Sequence, residues 1–464
     1  MIFRQFYLES LGHASYLVGD ERSGRALVLD PRRDVDCYFG SARAHGLRIA
    51  FAIDTHGHND YVTGIREIAA RQDVDVLGYV DAPIGYEHRA VSDGEVIDIG
   101  DVAIEILHTP GHTPEHVSLL VYDRSVGDEP ALLLSGGALL VGDLARPDLL
   151  GGSDEARRAA TTFCHTIQEK ILWRLPDDVE VWPTHVAGSL CGGNIGSRLS
   201  TTVGYERKTN AVLARVSSSE EFVEECIRLD NLPAVPPYWR RMRPQNLAGP
   251  DLLGVLGEPP ALAPAAFDAA RRRGAVVLDG RTSEAFAGGH ISGALNVGLG
   301  PSFATWAGTV VPPDADVVCV LDSPDDLWEL TWQLLRIGYA SPRGWLAGGM
   351  RAWASSARDV AVVPETTARA LHERLQGGDR VHVVDVRQPA EWAGGHIDGA
   401  TFATGAELPD RLGELPDGPI VVVCGSGYRS AVMGSWLRAG GRNDVTNVAG
   451  GMSAWRSAGL PITR

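Results

Sequence analysis

Arg48-Ile49-Ala50-Phe51-Ala52-Ile53-Asp54 runs directly into Thr55-His56-Gly57-His58-Asn59-Asp60-Tyr61. The first seven residues form an apolar run bounded by charge, the pattern of a buried strand. Two histidines and an aspartate follow at once, where strand should give way to loop and where rigid scaffolds display reactive groups. His56 and His58 aim at one point only if the chain curls there. Scattered surface histidines are the plainer alternative. Two further stretches weigh against it, His108-Thr109-Pro110-Gly111-His112-Thr113-Pro114 and Trp182-Pro183-Thr184-His185.

Composition sets outer limits. At 464 residues the chain has room for three ordinary domains, at roughly 150 residues each. A hydrophobic content of 44% and a charged content of 22% are those of a globular protein. The net charge of −17 argues against the clustered basic surface that nucleic acid requires. The opening, MIFRQFYLESLGHASYL, lacks the apolar core of a signal peptide and reads as strand, so a cytoplasmic protein is expected. No apolar run reaches membrane length; Ala131 to Val141 is broken by Ser135, Gly136 and Gly137. The six cysteines (37, 164, 191, 226, 319 and 424) include no CxxC pair and read as free thiols.

Residues 1–245 mix short strands (SYLVG, ALVLD, AIEILH, VSLLVY, ALLLS) with helical stretches such as Thr161 to Leu175. That alternation implies a layered α/β domain with its histidine loops along one edge. Residues 233–264 are loaded with proline and glycine and read as a linker, centred on 246–262. Beyond it the chain repeats itself. Val277-Leu278-Asp279-Gly280-Arg281 matches Val384-Asp385-Val386-Arg387, and Gly289-His290-Ile291 matches Gly395-His396-Ile397 at the same spacing. Gly348-Gly349-Met350 with Trp353 matches Gly450-Gly451-Met452 with Trp455 at a spacing four residues shorter. Two α/β domains are expected, over 263–360 and 364–464. Their shared Asp, Arg and His residues suit loop bracing better than catalysis.

In the second repeat the apolar strand Pro419 to Val423 meets Cys424-Gly425-Ser426-Gly427-Tyr428-Arg429-Ser430, followed by a helix through Arg438. A thiolate at a strand end, ringed by loop N–H groups and facing a helix N-terminus, is stabilised as an anion. The same cradle suits a persulfide. The glycines let the amides turn inward, and Arg429 adds charge for an anionic sulfur donor. The first repeat has Asp322-Ser323-Pro324-Asp325-Asp326 at the equivalent loop, with Cys319 inside the strand. Carboxylates there would repel a thiolate, so this repeat reads as inactive. The two units resemble rhodanese domains, which implies Cys424 as persulfide carrier within a loop of Gly425, Ser426, Gly427, Tyr428 and Ser430.

The series HxHxD, TPGHT, PTH resembles the metallo-β-lactamase superfamily, whose fold is an αββα sandwich. Together with Gly142-Asp143-Leu144-Ala145-Arg146-Pro147-Asp148 and the rhodanese repeats, it resembles the persulfide dioxygenase–sulfurtransferase fusions. That resemblance implies one Fe(II) per chain on two histidines, His56 and His112, and an aspartate. It also implies thiosulfate, O2 and a low-molecular-weight thiol or its persulfide as partners, without nucleic acid or membrane. The family's aspartate falls on Gly137; Asp143 stands too close to Arg146 to replace it. Three histidines, His56, His58 and His112, are then the expected metal ligands, with zinc or an empty site as alternatives to iron. Asp60, Tyr61 and His185 are expected behind them as hydrogen-bonding supports. Tyr61 and Gly137 remove ligands that a two-zinc thioester hydrolase needs. Cys191 is a candidate relay thiol, with an ordinary loop thiol as its alternative. The implied function is sulfur transfer through Cys424 coupled to oxidation of a thiol persulfide to sulfite. The alternative is a sulfurtransferase alone, its first domain a scaffold. A monomer and a homo-oligomer both stay open.

Overall fold

The computed structural model describes residues 1–228 and 232–464. The chain forms two compact units, Met1–Pro233 with Trp239–Gly254, and Ala234–Tyr238 with Val255–Arg464.

In the first unit two six-stranded sheets enclose one core. The first sheet runs Ile2–Leu8, His13–Asp20, Arg25–Leu29, Arg48–Ile53, Asp75–Tyr79 and Arg89–Val91 in spatial order. The second runs Thr201–Thr202, Glu180–Pro183, Pro130–Gly136, Val117–Asp123, Val102–His108 and Val96–Asp98. Side chains alternate between faces with a period of two. Tyr16, Val18, Phe51 and Ile53 therefore point inward to meet Ile104, Leu119, Val121 and Leu134 from the other sheet. Leu17, Val28 and Ala52 point outward beneath the helices Asp36–Ala44 and Ile65–Arg71. Leu107, Leu120 and Leu133 likewise pack under Ser153–Thr166, whose Phe163 is fully buried. Strands covered on both faces read as continuous apolar runs. The result is an αββα sandwich. Each large core side chain contributes about 1.5–3 kcal/mol, so this layer holds the loops in place.

The sequence expects a helix over Thr161 to Leu175. It begins earlier, at Ser153, and closes in a π-helical turn, Ile167–Leu172. A larger departure lies in the proline-rich stretch read as linker. Trp239–Ala248 is a helix that belongs to the first unit. Trp239, Met242 and Asn246 recur at helical spacing and form the helix's buried face, two apolar residues and one amide hidden among prolines.

The second unit contains two five-stranded parallel sheets of identical order. Ala261–Leu262, Gly344–Leu346, Val317–Val320, Val276–Asp279 and Leu295–Asn296 form one. Glu365–Thr366, Val445–Val448, Ile420–Val423, His382–Asp385 and Thr401–Phe402 form the other. The repeated Asp and Arg residues brace loops in both. Arg281 grips Asp279 at 2.7 and 2.9 Å and donates to Gly289 O, and Arg387 grips Asp385 at the same distances and donates to Gly395 O. His290 stacks on Phe286 and His396 on Trp392. The sheets are joined through the helix Tyr428–Ala439 of the second repeat: Asn296 N–H donates to Ser435 Oγ at 2.9 Å, and Tyr428 OH donates to Gly298 O at 3.0 Å.

Candidate metal centre and sulfur loop

Four loops meet at one edge of the sandwich, and Asp30 ties them together. It ends the apolar run Ala26 to Asp30 in a left-handed conformation, φ +51°, a strained geometry for a non-glycine residue. Its carboxylate accepts from Thr55 N–H at 2.6 Å, from the Thr55 and Thr184 hydroxyls, and from His58 Nε2 at 2.9 Å. Its carbonyl accepts from Tyr61 OH at 3.2 Å and from His13 Nε2 at 3.0 Å. The sequence singles out neither Asp30 nor His13; the signal was an aspartate ending a buried strand.

This arrangement settles where each histidine points. Thr55 has a single hydroxyl proton and gives it to Asp30, so its oxygen accepts from His56 Nδ1 at 2.8 Å. His112 Nδ1 donates to Arg146 O at 2.8 Å. Both rings then carry their lone pair on Nε2. His112 Nε2 is buried without a hydrogen-bond partner, and His56 Nε2 lies 3.4 Å from His185 Nε2. One ligand atom from each of His56, His112 and His185 falls within 4.8 Å of the others. With the His185 proton on Nδ1, the two facing nitrogens and the lone pair of His112 Nε2 nearby are a donor set for a cation.

His58 stands apart from this set. Burial alone would lower its pKa, but the charge and hydrogen bond of Asp30, with Asp54 and Asp60 behind, push it up to about 9. An imidazolium offers no lone pair. The sequence expects His58 among the ligands and His185 behind them; the structure gathers His185 with His56 and His112 and leaves His58 on Asp30. Burial and the neighbouring histidines hold His56 and His185 well below the ordinary range, and burial takes His112 down to about 4. Neutral imidazole is the metal-binding form.

Gly137 sits against the set as the missing aspartate should. A Cβ there would lie 2.7 Å from His112 Cδ2, so the ring occupies the space a side chain would need. Gly137 N–H donates to His116 Nε2 at 2.8 Å, which makes His116 a ring-spacing support rather than a ligand. Asp60 and Cys191 lie on the other side of His185, with ligand atoms again within 4.8 Å. Cys191 is 1% exposed, and burial, then Asp60, push its thiol up. Tyr61 is buried on Asp30 and supports the loop.

Residues from the supposed linker complete the edge. Asn246 Nδ2 donates to His58 O at 2.9 Å and Tyr61 O at 2.8 Å, while its Oδ1 accepts from Thr63 N–H at 3.0 Å. Arg243 pairs with Glu115 at 2.7 Å, and Glu115 accepts from Gly57 N–H at 3.0 Å. A small pocket reaches His56 between Tyr79, Ile84, Tyr86, Glu115 and Leu247.

In the second unit Cys424 is fully buried at the end of Ile420–Val423. Gly427 N–H donates to its sulfur at 3.1 Å and Ser430 Oγ at 3.3 Å. Gly427, at φ +107°, turns the loop into the helix Tyr428–Ala439, a conformation that favours glycine. The sulfur thus faces the first turn of a twelve-residue helix, as the anionic form requires. The Arg429 guanidinium makes a two-pronged pair with Glu391, at 2.6 and 2.7 Å, and also faces the Cys424 sulfur, so a carboxylate shares the charge expected to act on the donor. In the first repeat Cys319 is buried within its strand, and Pro324–Asp326 forms a 3-10 turn in the equivalent loop.

A family model for the Rhodanese-like domain matches residues 263–356 and 367–458. Over 241 residues, 50% of the chain, the sequence is 30% identical to the protein named Persulfide dioxygenase ETHE1, mitochondrial, of Bos taurus, and spans 83% of it. Over 102 residues, 22% of the chain, it is 38% identical to a sulfurtransferase of Allochromatium vinosum and spans 95% of that protein. A solved metallo-beta-lactamase from Staphylococcus aureus superposes with a TM-score of 0.66 at 30% identity, covering 75% of this chain and 98% of that one. Among the described residues, no helix is long and apolar enough to cross a membrane.

Proposed function

Because the chain belongs to the persulfide dioxygenase family, with a metallo-β-lactamase fold followed by two rhodanese-like domains, we propose that it joins two steps of sulfane-sulfur metabolism. Cys424 carries sulfur, and the His56–His112–His185 set serves the oxidation of a low-molecular-weight thiol persulfide. The carrying observation is the buried, unpartnered Nε2 of His112 beside the 3.4 Å His56–His185 contact.

At Cys424 the thiolate attacks the outer sulfur of thiosulfate. The S–S bond breaks, sulfite leaves with the bonding pair, and Cys424 persulfide remains. A thiol RS⁻ then takes the outer sulfur as RSS⁻ and returns the Cys424 thiolate. Gly427 N–H and Ser430 Oγ hold the sulfur anion through both transfers.

In the first unit the overall change is RSSH + O2 + H2O → RSH + SO3²⁻ + 2H⁺. His56, His112 and His185 would hold an Fe(II), which would supply the redox chemistry for reaction of a persulfide with O2. Thr55 and Arg146 O fix the tautomers that leave Nε2 of His56 and His112 free. Asp30 withholds His58, and the Glu115–Arg243 pair closes the loop over His56.

Gly137 favours a second reading, a sulfurtransferase whose first unit has lost its chemistry. Iron analysis of protein purified anaerobically, followed by oxygen uptake on glutathione persulfide, separates the two. The first reading expects about one iron per chain, with oxygen uptake lost in His112→Ala while sulfur transfer survives. Iron-loaded protein that consumes no oxygen would leave only the second. Cys424→Ser abolishes sulfur transfer under either.

A further inference from the structure

The second unit holds a groove of about 460 Å³ that takes no part in the chemistry above. The helix Tyr428–Ala439 starts at the sulfur loop and presents Trp436 and Ala439 to this groove, roughly 15 Å further along its axis. The first repeat supplies the facing wall through Val277, Leu295 and Val310. Glycines keep the space open. Gly274 and Gly293 have φ +102° and +79°, and a Cβ at either would meet nothing within 4 Å. A volume of this size is that of a small-molecule site.

The charge of the groove runs against that of the chain. The sequence has 59 acidic and 42 basic residues, yet among the described residues no carboxylate lines the groove, and its charged groups are Arg271 and Arg442. Each guanidinium is braced along one side. Arg271 holds Asp268 through Nε at 3.1 Å and Nη2 at 2.7 Å. Arg442 Nη2 donates to Pro416 O at 2.8 Å and Gly418 O at 3.2 Å, and its Nε lies 3.8 Å from Asp444. Asp268 and Asp444 stand outside the lining, and Nη1 of each arginine has no acceptor among the described residues. Groups held in place in this way lose little freedom when a ligand arrives. Trp436 is half-buried and adds a flat apolar face, its indole N–H likewise without a described acceptor.

We propose that this groove binds a small aromatic organic acid, its ring against Trp436 and the apolar wall and its carboxylate or sulfonate drawn to Arg271 and Arg442. Packing against an indole and a charge-assisted hydrogen bond to a guanidinium are the contacts this lining offers. A neutral molecule of the same shape forgoes the second contact, and thiosulfate lacks the apolar body for the first. The ligand is therefore of a different class from the sulfur donors of Cys424. It also lies at the other end of the helix from that thiol.

The test titrates the full chain with 8-anilinonaphthalene-1-sulfonate, an aromatic sulfonate that fluoresces in apolar surroundings, and then displaces it. One saturable site per chain is expected. It is emptied by 2-naphthoate at a concentration about ten-fold lower than by 2-naphthamide, which keeps the shape without the charge. Ala439→Phe, at an exposed position of the helix, places a ring in the groove and should weaken probe binding at least about ten-fold. Arg271→Gln, at a part-exposed pair, should weaken it at least about three-fold. Cys424→Ser should bind the probe as the parent does. Thermal unfolding beside the parent confirms that each loss comes from a folded chain, and Arg271→Gln decides the matter if Ala439→Phe unfolds. No saturable binding, an unchanged probe affinity in folded Ala439→Phe or in Arg271→Gln, or equal displacement by naphthoate and naphthamide would overturn the proposal. Loss of binding in Cys424→Ser would overturn it as well, by moving the probe to the sulfur loop.

Discussion

Adding one methyl group at Gly137 tests how firmly the histidine set is built. The backbone there is not left-handed, so Gly137→Ala meets no φ barrier. What it meets is His112, with Cδ2 at 2.7 Å and Cγ at 3.2 Å from the new Cβ, and Ala145 Cβ at 3.3 Å. The ring cannot simply swing away, because it is buried and tied through Nδ1 to Arg146 O at 2.8 Å. Overpacking of this kind costs about 1–3 kcal/mol. In a unit of this size each kcal/mol lowers the melting temperature by about 2–4 °C, so the first unit's transition should fall by about 2–10 °C. Gly137→Asp carries the same crowding plus a carboxylate without a partner, and melts lower still in the presence of chelator. Fe(II) should restore more of the loss in Gly137→Asp than in Gly137→Ala, since only the aspartate gains a ligand bond. Differential scanning calorimetry of the full chain, with chelator and with anaerobic Fe(II), reads all of this. A Gly137→Ala transition coincident with the parent's would refute the claim that His112 fills the vacated space.

Asn246→Ala removes three hydrogen bonds to buried backbone groups of the histidine loop and should cost about 2–4 kcal/mol, measured as denaturant unfolding of the first unit and accompanied by weaker metal retention. Glu391→Gln unmasks the Arg429 charge. Its kcat/KM should rise for dianionic thiosulfate relative to a persulfide donor by up to about five-fold, the ceiling for a part-exposed pair; an unchanged ratio would mean Arg429 does not act on the donor. The same variant has a pH signature. Burial raises the Glu391 pKa, but the hydrogen bond and charge of Arg429 outweigh it and lower the net value. The pair's stabilisation is therefore present above about pH 4.3, the unfolded value, and is lost as pH falls through the depressed folded one. The second unit's acid unfolding should begin less steeply in Glu391→Gln than in the parent.

Where residues repeat or alternate, the chain was readable from its letters. Strands such as Arg48–Ile53 and Val117–Asp123 are apolar because both faces are covered, and the paired motifs around Asp279 and Asp385 announce two like domains before any contact is known. The histidine loop was legible as a site but not as a wiring diagram. Spacing alone does not distinguish His58 from His185, because the choice is made by Asp30, whose carboxylate claims one ring and leaves the other. Arg429 reads as an anion binder, but the spacing does not show that Glu391, 38 residues earlier, shares its charge with Cys424. Asn246 was hidden among prolines, since the buried face of its helix has only two apolar residues, Trp239 and Met242.

The contact between Tyr428 and Gly298 bears on how the duplicated half of this protein can evolve. The first repeat has Asp322 to Asp326 where the second has its cysteine loop, yet its carbonyl at Gly298 receives the hydroxyl of Tyr428 from that loop. The two copies have ceased to be interchangeable modules. We expect less freedom to drift at Gly298, where a Cβ would lie 3.3 Å from the Tyr428 ring, than in the exposed Asp322 to Asp326 loop. The first repeat serves the second through its shape, and replacing it by a homologue with its own loop cysteine would add a thiol at the cost of the setting of Cys424.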